Sequence, residues 1–111
     1  MALIVSTRRP NALLREIRQS ISDGKVVTWK VDSDGDFTHA SESWGKQLWL
    51  RPSVIEGQLR FRTVPRRGGT ISTLAYAHYH AEFAKMLLTF FDDQFDDIKA
   101  TAQPSNGDRT R

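Results

Sequence analysis

The sequence predicts an α+β domain: an N-terminal helix, a four-stranded antiparallel meander and a long C-terminal helix, in the order α-β-β-β-β-α. Two segments space their apolar residues three and four apart, as helices do, and the region between them alternates apolar and polar residues, as strands do. Short turn signals separate those strands, which indicates hairpins. We expect residues 1–100 to form this single domain and the polar tail 101–111 to be disordered.

The composition allows a packed core and excludes several kinds of site. Hydrophobic residues make up 39% of the chain and charged residues 26%, close to the usual values for folded domains. There is no cysteine, so disulfides, cysteine-based zinc sites and thiol catalysis are excluded. The apolar run in residues 1–6 is too short for a signal peptide or a membrane span. We therefore expect a cytoplasmic protein with no membrane partner.

The first helix is predicted over Arg9–Asp23. Pro10 suits its first turn and Gly24 stops it. Its apolar stripe consists of Leu13, Leu14, Ile17 and Ile21. Arg15 and Arg18 lie on the opposite side, where they form either an ordinary solvated face or a basic face for nucleic acid or an acidic partner.

A hairpin is predicted after this helix. Lys25–Asp32 alternates and is rich in valine, threonine and tryptophan, and Asp36–Ala40 returns as a short second strand. Asp34-Gly35 marks a two-residue turn in which both central residues need positive φ. The aspartates around it lack the spacing of an EF-hand loop, so we predict no calcium site.

Two further strands, Lys46–Arg51 and Gly57–Val64, complete the meander, with Pro52–Gly57 as the loop between them. The pairs that this loop length produces are Leu50 with Leu59, Leu48 with Phe61, and Trp49 with Arg60. The leucines and the phenylalanine then share one face of the sheet. Because each helix has one apolar stripe, we expect both helices to cover that face and to leave the other face open.

The second helix is predicted from Thr70 to about Ile98, with Thr70 or Ser72 as its N-cap. Its apolar stripe consists of Tyr76, Tyr79, His80, Phe83, Leu87, Phe90 and Phe91. Four aspartates near its end oppose the helix dipole: Asp92, Asp93, Asp96 and Asp97. Either the helix frays near Asp92, or these carboxylates meet a basic partner.

Charge is distributed in blocks along the chain, although the net charge is only +3. Residues 31–45 carry four acidic and no basic groups, whereas residues 46–69 carry six basic groups and one acidic group. Strand alternation places much of the basic block on the open face of the sheet, and Lys30 joins it if Val27, Trp29 and Val31 point inward. The candidate binding residues are Lys30, Trp49, Arg51, Arg60, Arg62, Arg66, Arg67, Arg15 and Arg18.

The leading hypothesis is a non-enzymatic domain whose open sheet face binds nucleic acid or another polyanion, because arginines suit phosphates and a tryptophan can stack on a base. The alternative to ligand binding on that face is that Arg60 stacks on Trp49 as a cross-strand cation–π pair. The alternative function is a protein-interaction or regulatory module, which could be a homodimer that pairs its basic and acidic patches.

An enzyme that uses His39 or His80 is the third hypothesis. No catalytic motif is present, so we expect no enzyme, no cofactor and no metal site. His80 lies in the apolar stripe of the second helix and is interpreted as a core residue. His78 and His80 are two residues apart on a helix and therefore cannot share a metal ion.

The order helix, strands, helix is similar to that of double-stranded-RNA-binding domains, which have three strands between two helices. The likeness is one of topology, and in sequence only Arg66 and Arg67 before the second helix hint at that family. The acidic first hairpin turn and the missing lysine-rich start of the second helix depart from its pattern. The resemblance is therefore an analogy of fold.

Overall fold

The computed structural model describes residues 2–102 and confirms the α+β class, with more strands than the sequence predicts. Two helices, α1 (Pro10–Ser22) and α2 (Thr73–Phe90), pack on a six-stranded antiparallel sheet. The strands are β1 (Ala2–Ser6), β2 (Trp29–Val31), β3 (Phe37–His39), β4 (Leu48–Ile55), β5 (Gln58–Pro65) and β6 (Asp97–Thr101). Their order across the sheet is β2-β3-β4-β5-β1-β6.

The four-stranded meander is wrong in one respect, because β1 and β6 extend the sheet beyond β5. Ala2 pairs with Arg62 of β5 on one side and with Thr101 of β6 on the other. The topology consequently departs from the α-β-β-β-β-α order and from its double-stranded-RNA-binding analogue. Thr101, which the sequence analysis placed in the tail, ends β6, and the rest of that predicted tail, residues 103–111, lies outside the described residues.

The second helix is shorter than predicted. It ends at Phe90 rather than near Ile98, and Asp92–Gln94 form a single 3₁₀ turn before β6. The prediction was wrong because Phe95 and Ile98 continue the apolar spacing and do pack against the core, although from outside a helix. Ser72 is the N-cap, since its side chain accepts a hydrogen bond from the backbone N–H of Ala75. The four aspartates come after the last residue of the helix, so their carboxylates are not part of the helix end whose dipole they were predicted to oppose.

The first hairpin is confirmed, but its turn differs from the prediction. The backbone N–H of Asp32 donates to the carbonyl of Asp36, which leaves three residues between them. Gly35 has a φ of 84°, whereas Asp34 does not have a positive φ. In this loop only Gly35 adopts the left-handed conformation, as in three-residue hairpin loops in which a turn is followed by a β-bulge. Val27 is 74% exposed and precedes β2, so it does not point inward as expected.

The register of β4 and β5 is shifted by four residues from the predicted one. Leu50 pairs with Thr63 rather than with Leu59, because β4 continues through Pro52 to a tight turn at Glu56-Gly57. Pro52 is tolerated inside the strand because β3 pairs with β4 at Leu50, before Pro52 is reached. A shift by an even number of residues keeps every side chain on its predicted face.

Both helices cover the same face of the sheet and share one hydrophobic core with it. The centre of that core is aromatic. The ring centroid of Phe83 on α2 lies 4.7 Å from that of Phe61, 4.8 Å from that of Trp29 and 5.4 Å from that of Phe37. These edge-to-face contacts join α2 to β5, β2 and β3. Leu13 and Ile17 of α1 belong to the same buried cluster.

Replacing Phe83 by alanine tests this arrangement. The variant should lose about 3–5 kcal/mol of unfolding free energy, since a fully buried ring leaves a cavity when it is removed. Urea denaturation followed by circular dichroism measures the change. Lys85→Ala, on the exposed side of the same helix, is the control and should have little effect; similar losses in both variants would contradict the assignment of the helix face.

Candidate functional site

The face of the sheet away from the helices carries the arginines that the sequence analysis selected. On β5, Arg60 and Arg62 alternate with Leu59 and Phe61, which are fully buried under the helices. Arg62 lies opposite Arg51 of β4 and Ala2 of β1, and the next outward-facing residue, Arg60, lies opposite Ser53 and Ile4. The predicted basic face therefore forms, with Arg60 and Arg62 near its middle.

The two arginines of β5 are not neutralised by the rest of the described chain. Within residues 2–102 neither Arg60 nor Arg62 forms a salt bridge. The Nε of Arg60 donates to the side-chain oxygen of Gln58 at 3.3 Å, which is an uncharged contact. Lys99 of β6 lies opposite Ile4 on the same face. It was missed because no strand was predicted after the second helix, which was expected to end near Ile98. Asp97 lies on the same face of β6, opposite Ser6.

Arg51 differs from the other cations because its charge is matched by Asp36. Its guanidinium donates from Nη2 at 2.7 Å and from Nε at 3.1 Å to one carboxylate oxygen of Asp36, a residue that is only 3% exposed. This hydrogen-bonded carboxylate raises the pKa of Arg51 further above its ordinary value. Arg51 thus serves the structure of the β3–β4 pair, in addition to lying on the face where the sequence predicts it as a binding residue.

Trp49 is half-buried on the open face, but the prediction of its cross-strand partner is wrong. It lies opposite Val64, whereas Arg60 lies opposite Ser53, so the register does not bring Trp49 and Arg60 together as a cross-strand cation–π pair. The indole is therefore not held by that arginine. Lys30 is exposed on β2, at the far edge of the sheet.

The remaining candidate arginines lie outside the sheet face. Arg66 and Arg67 are exposed in the turn directly after β5, where the backbone N–H of Gly69 donates to the carbonyl of Arg66. Arg15 is exposed on α1, which packs on the opposite side of the sheet. Arg18 donates to the carbonyl of Gly35 at 2.8 Å and so connects α1 to the first hairpin. The structure does not bring the two α1 arginines to the open face.

A second cluster of functional groups lies on the helix side, where β3 meets α2. One ring nitrogen of His39, one of His78 and a carboxylate oxygen of Glu82 all lie within 4.8 Å of one another. The enzyme hypothesis drawn from the sequence named His39 or His80, and did not include His78 or Glu82. His80 is buried and its Nδ1 is bonded to the backbone carbonyl of Tyr76 at 2.8 Å, so it faces its own helix. The missed signal was the spacing of His78 and Glu82, four residues apart and hence on one side of α2.

His39 is the most enclosed member of this cluster, at 8% exposure. Its Nδ1 accepts a hydrogen bond from the backbone N–H of Ser41 at 3.1 Å, and its Nε2 has no partner among the described residues. Burial lowers the pKa of His39 below its ordinary value of 6.5, and the nearby charge of His78 lowers it further, while Glu82 opposes the shift. A buried imidazole that resists protonation keeps a neutral ring available for coordination or proton transfer.

The loop between β3 and β4 holds this cluster in place. Trp44 stacks on the ring of His78 with a centroid distance of 4.0 Å and an angle of 13° between the planes. The hydroxyl of Tyr79 donates to the carbonyl of Trp44. Gly45 has no room for a side chain, because a Cβ there would lie 2.6 Å from the carbonyl oxygen of Ser41. Lys46 follows with a φ of 59°, a conformation that is rare for a residue with a side chain.

Three aspartates of the first hairpin, Asp32, Asp34 and Asp36, also lie close together. Two of their three carboxylates, those of Asp32 and Asp36, are bonded within the protein. The Oδ1 of Asp32 accepts the backbone N–H groups of Asp34 and Asp36, both at 2.9 Å, and Asp36 pairs with Arg51. The bonds accepted by Asp32 form a local turn motif of aspartate.

Comparison with known proteins does not assign a function. No family model, no curated protein and no solved structure matches this chain. Among residues 2–102, neither helix has the length and apolarity that crossing a membrane requires. Evidence on function therefore comes from the chemistry of the two sites themselves.

Gly45→Ala tests whether the loop geometry matters. The new methyl group would meet backbone oxygens of Ser41 and His39, and such overpacking should lower the unfolding free energy by about 1–3 kcal/mol. Thermal and urea denaturation would measure the loss. Ser43→Ala, at an exposed position of the same loop, provides the control, and equal stability of Gly45→Ala and wild type would show that the loop adapts freely.

The lowered pKa of His39 makes stability depend on pH. The unfolded chain binds a proton at this residue near pH 6.5, its ordinary pKa, whereas the folded protein binds it only at lower pH. Because the unfolded state then holds more protons, stability should fall as the pH drops below about 6.5 and level off below the folded pKa. Unfolding free energies of wild type and His39→Gln between about pH 7 and pH 5 should show a shallower slope in the variant. Parallel curves for the two proteins would contradict the assignment of this pH dependence to His39.

Proposed function

We propose that this protein is a non-enzymatic module that binds a polyanion, in particular a nucleic acid strand, through the open face of its sheet. The observation that carries the proposal is the pair formed by Arg60 and Arg62, two arginines on one strand with no carboxylate partner within residues 2–102. Residues two apart on a strand are about 6.7 Å apart, which is close to the separation of neighbouring phosphates in an extended nucleic acid strand.

Charge repulsion on this face favours an anionic ligand. Arg62 lies opposite another arginine, Arg51, and only the latter has a carboxylate partner. Like charges directly opposite each other on neighbouring strands destabilise a sheet, and here Asp36 offsets the charge of Arg51 only, so the charge of Arg62 is the one left uncompensated within residues 2–102. A bound phosphate beside Arg62 would relieve that repulsion and would form charge-assisted hydrogen bonds with its guanidinium. The cost in the free protein is therefore recovered on binding.

Four cations follow one another along β5 and the turn after it, and we call them the basic track: Arg60, Arg62, Arg66 and Arg67. From Arg60 and Arg62 the chain runs through Val64 to the exposed Arg66 and Arg67 in the turn after β5. Trp49 lies opposite Val64, beside the middle of this track. A positively charged track with an aromatic side chain next to it is the arrangement used by proteins that bind single strands with little sequence preference.

A double variant, Arg60→Gln with Arg62→Gln, tests the phosphate contacts. Binding to a fluorescently labelled single-stranded oligonucleotide should weaken, and the slope of log K against log salt should become shallower by about two contacts, roughly 1.4 for single strands. The matched control, Arg8→Gln with Arg15→Gln, removes the same charge at two exposed positions outside the sheet face. If the control reduces binding as much as the double variant, net charge rather than this face is responsible.

Trp49→Ala tests the stacking contribution. A base that stacks on an indole contributes about 1–3 kcal/mol, and paired bases are less accessible, so affinity for single strands should fall more than affinity for duplex. Anisotropy titrations with both ligands at one salt concentration measure the difference. If the wild-type protein binds no nucleic acid at low ionic strength, the proposal fails, and the alternative is a protein-interaction or regulatory module whose basic face meets an acidic surface of a partner or of a second copy.

A further inference from the structure

We propose that His39, His78 and Glu82 form a binding site for a divalent transition-metal ion, with zinc as the ion that suits them best. The site is on the helix side of the sheet, and the proposal is independent of the polyanion face. Three potential ligand atoms from two separate elements, β3 and α2, converge within 4.8 Å of one another. A metal ion at their centre would require small movements of these side chains and, at His39, a change of one hydrogen bond.

The types of donor decide which ion is expected. Two imidazoles and one carboxylate are a ligand set of zinc sites that keep a position open for water or another ligand. Nitrogen donors favour zinc, nickel and copper over magnesium and calcium, which prefer sites made of oxygen. The aspartate turn of the first hairpin has only oxygen donors, and the carboxylates of Asp32 and Asp36 are already bonded within the protein.

His39 supports the site because it is nine-tenths buried and its Nε2 has no partner among the described residues. Buried side-chain nitrogens are nearly always bonded, so an exception calls for an explanation. In the metal-free protein the N–H of Ser41 donates to Nδ1, which places the single proton of the neutral ring on Nε2. Coordination through Nε2 therefore requires that proton to move to Nδ1 and the Ser41 N–H to be released.

That release is local, because Ser41 lies in the loop after β3 and not in a strand ladder. The other two ligands are positioned by structure that need not change. His78 and Glu82 are on successive turns of α2, and the His78 ring is already fixed by stacking on Trp44 at 4.0 Å. Both are half-buried, so an ion can enter from solvent. The loop that closes over them is the one with the close approach at Gly45 and the left-handed Lys46.

The test uses protein without an affinity tag, stripped of metal with a chelator and titrated with Zn²⁺ in a calorimeter. We expect one Zn²⁺ per chain and a melting temperature that rises with Zn²⁺ concentration, since an ion that binds only the folded state stabilises it. Glu82→Gln and His78→Gln should each weaken binding by roughly tenfold or more. Co²⁺ should bind the wild-type protein with visible absorption bands that both variants lose.

Two controls separate this site from non-specific binding. Glu42→Gln removes an exposed carboxylate from the neighbouring loop and should bind Zn²⁺ as the wild type does. In wild-type protein, which avoids any folding defect of a variant, Zn²⁺ should shift the ring NMR signals of His39 and His78 and the amide signal of Ser41, but not the ring signals of His80. The proposal is overturned if Zn²⁺ binds more weakly than about 1 mM, if the two ligand variants bind it as tightly as wild type, or if the His80 ring responds in place of the other two.

Discussion

The arrangement of the whole molecule depends on the alternation of side chains along β5. This strand is paired on both edges, with β4 and with β1, so its residues cannot rotate or slip independently. Leu59 and Phe61 are fully buried against the helices, and Phe61 meets Phe83 at the centre of the core. A slip of one residue would bury Arg60 and Arg62 in that apolar layer at the cost of unpaired charges. The same constraint that builds the core therefore holds two arginines on the outside.

Side-chain alternation explains why the open face could be predicted although the register could not. The alternation of leucines and arginines is visible in the sequence, and it survives any even shift in pairing. The position of the turn is not determined by that pattern. Pro52 suggested the end of a strand, but β4 continues through it opposite β5, beyond Leu50, where β4 pairs with β3. The face was therefore predictable from local pattern, whereas the cross-strand partners of Trp49 and Arg60 depended on neighbouring strands.

The elements that the sequence analysis missed are held by contacts between the two ends of the described chain. β1 and β6 pair over a separation of about a hundred residues, as between Ala2 and Thr101, and no local pattern reports such a pairing. Residues of β6 also continue the apolar spacing of α2, so period alone could not show where the helix stops. The cluster of His39, His78 and Glu82 was missed for the same reason. The spacing of His78 and Glu82 was visible in α2, but only the fold places β3 beside them.

β3 connects the two candidate sites, although it is only three residues long. Just before β3, Asp36 pairs with Arg51 on the open face. Arg62, which lies opposite Arg51, has no carboxylate partner within residues 2–102. At the other end of β3, His39 lies under Trp29 and next to His78 on the helix side. Between them, the hydroxyl of Thr38 bonds to the carbonyl of Leu48 and accepts the N–H of Lys46, which fixes the loop that carries Trp44. A displacement of β3 would thus alter the charge balance of one site and the ligand geometry of the other. Because α2, through Tyr79 and Phe83, packs on β2 and β3 from the helix side, the stability of the aromatic core sets how far β3 can move.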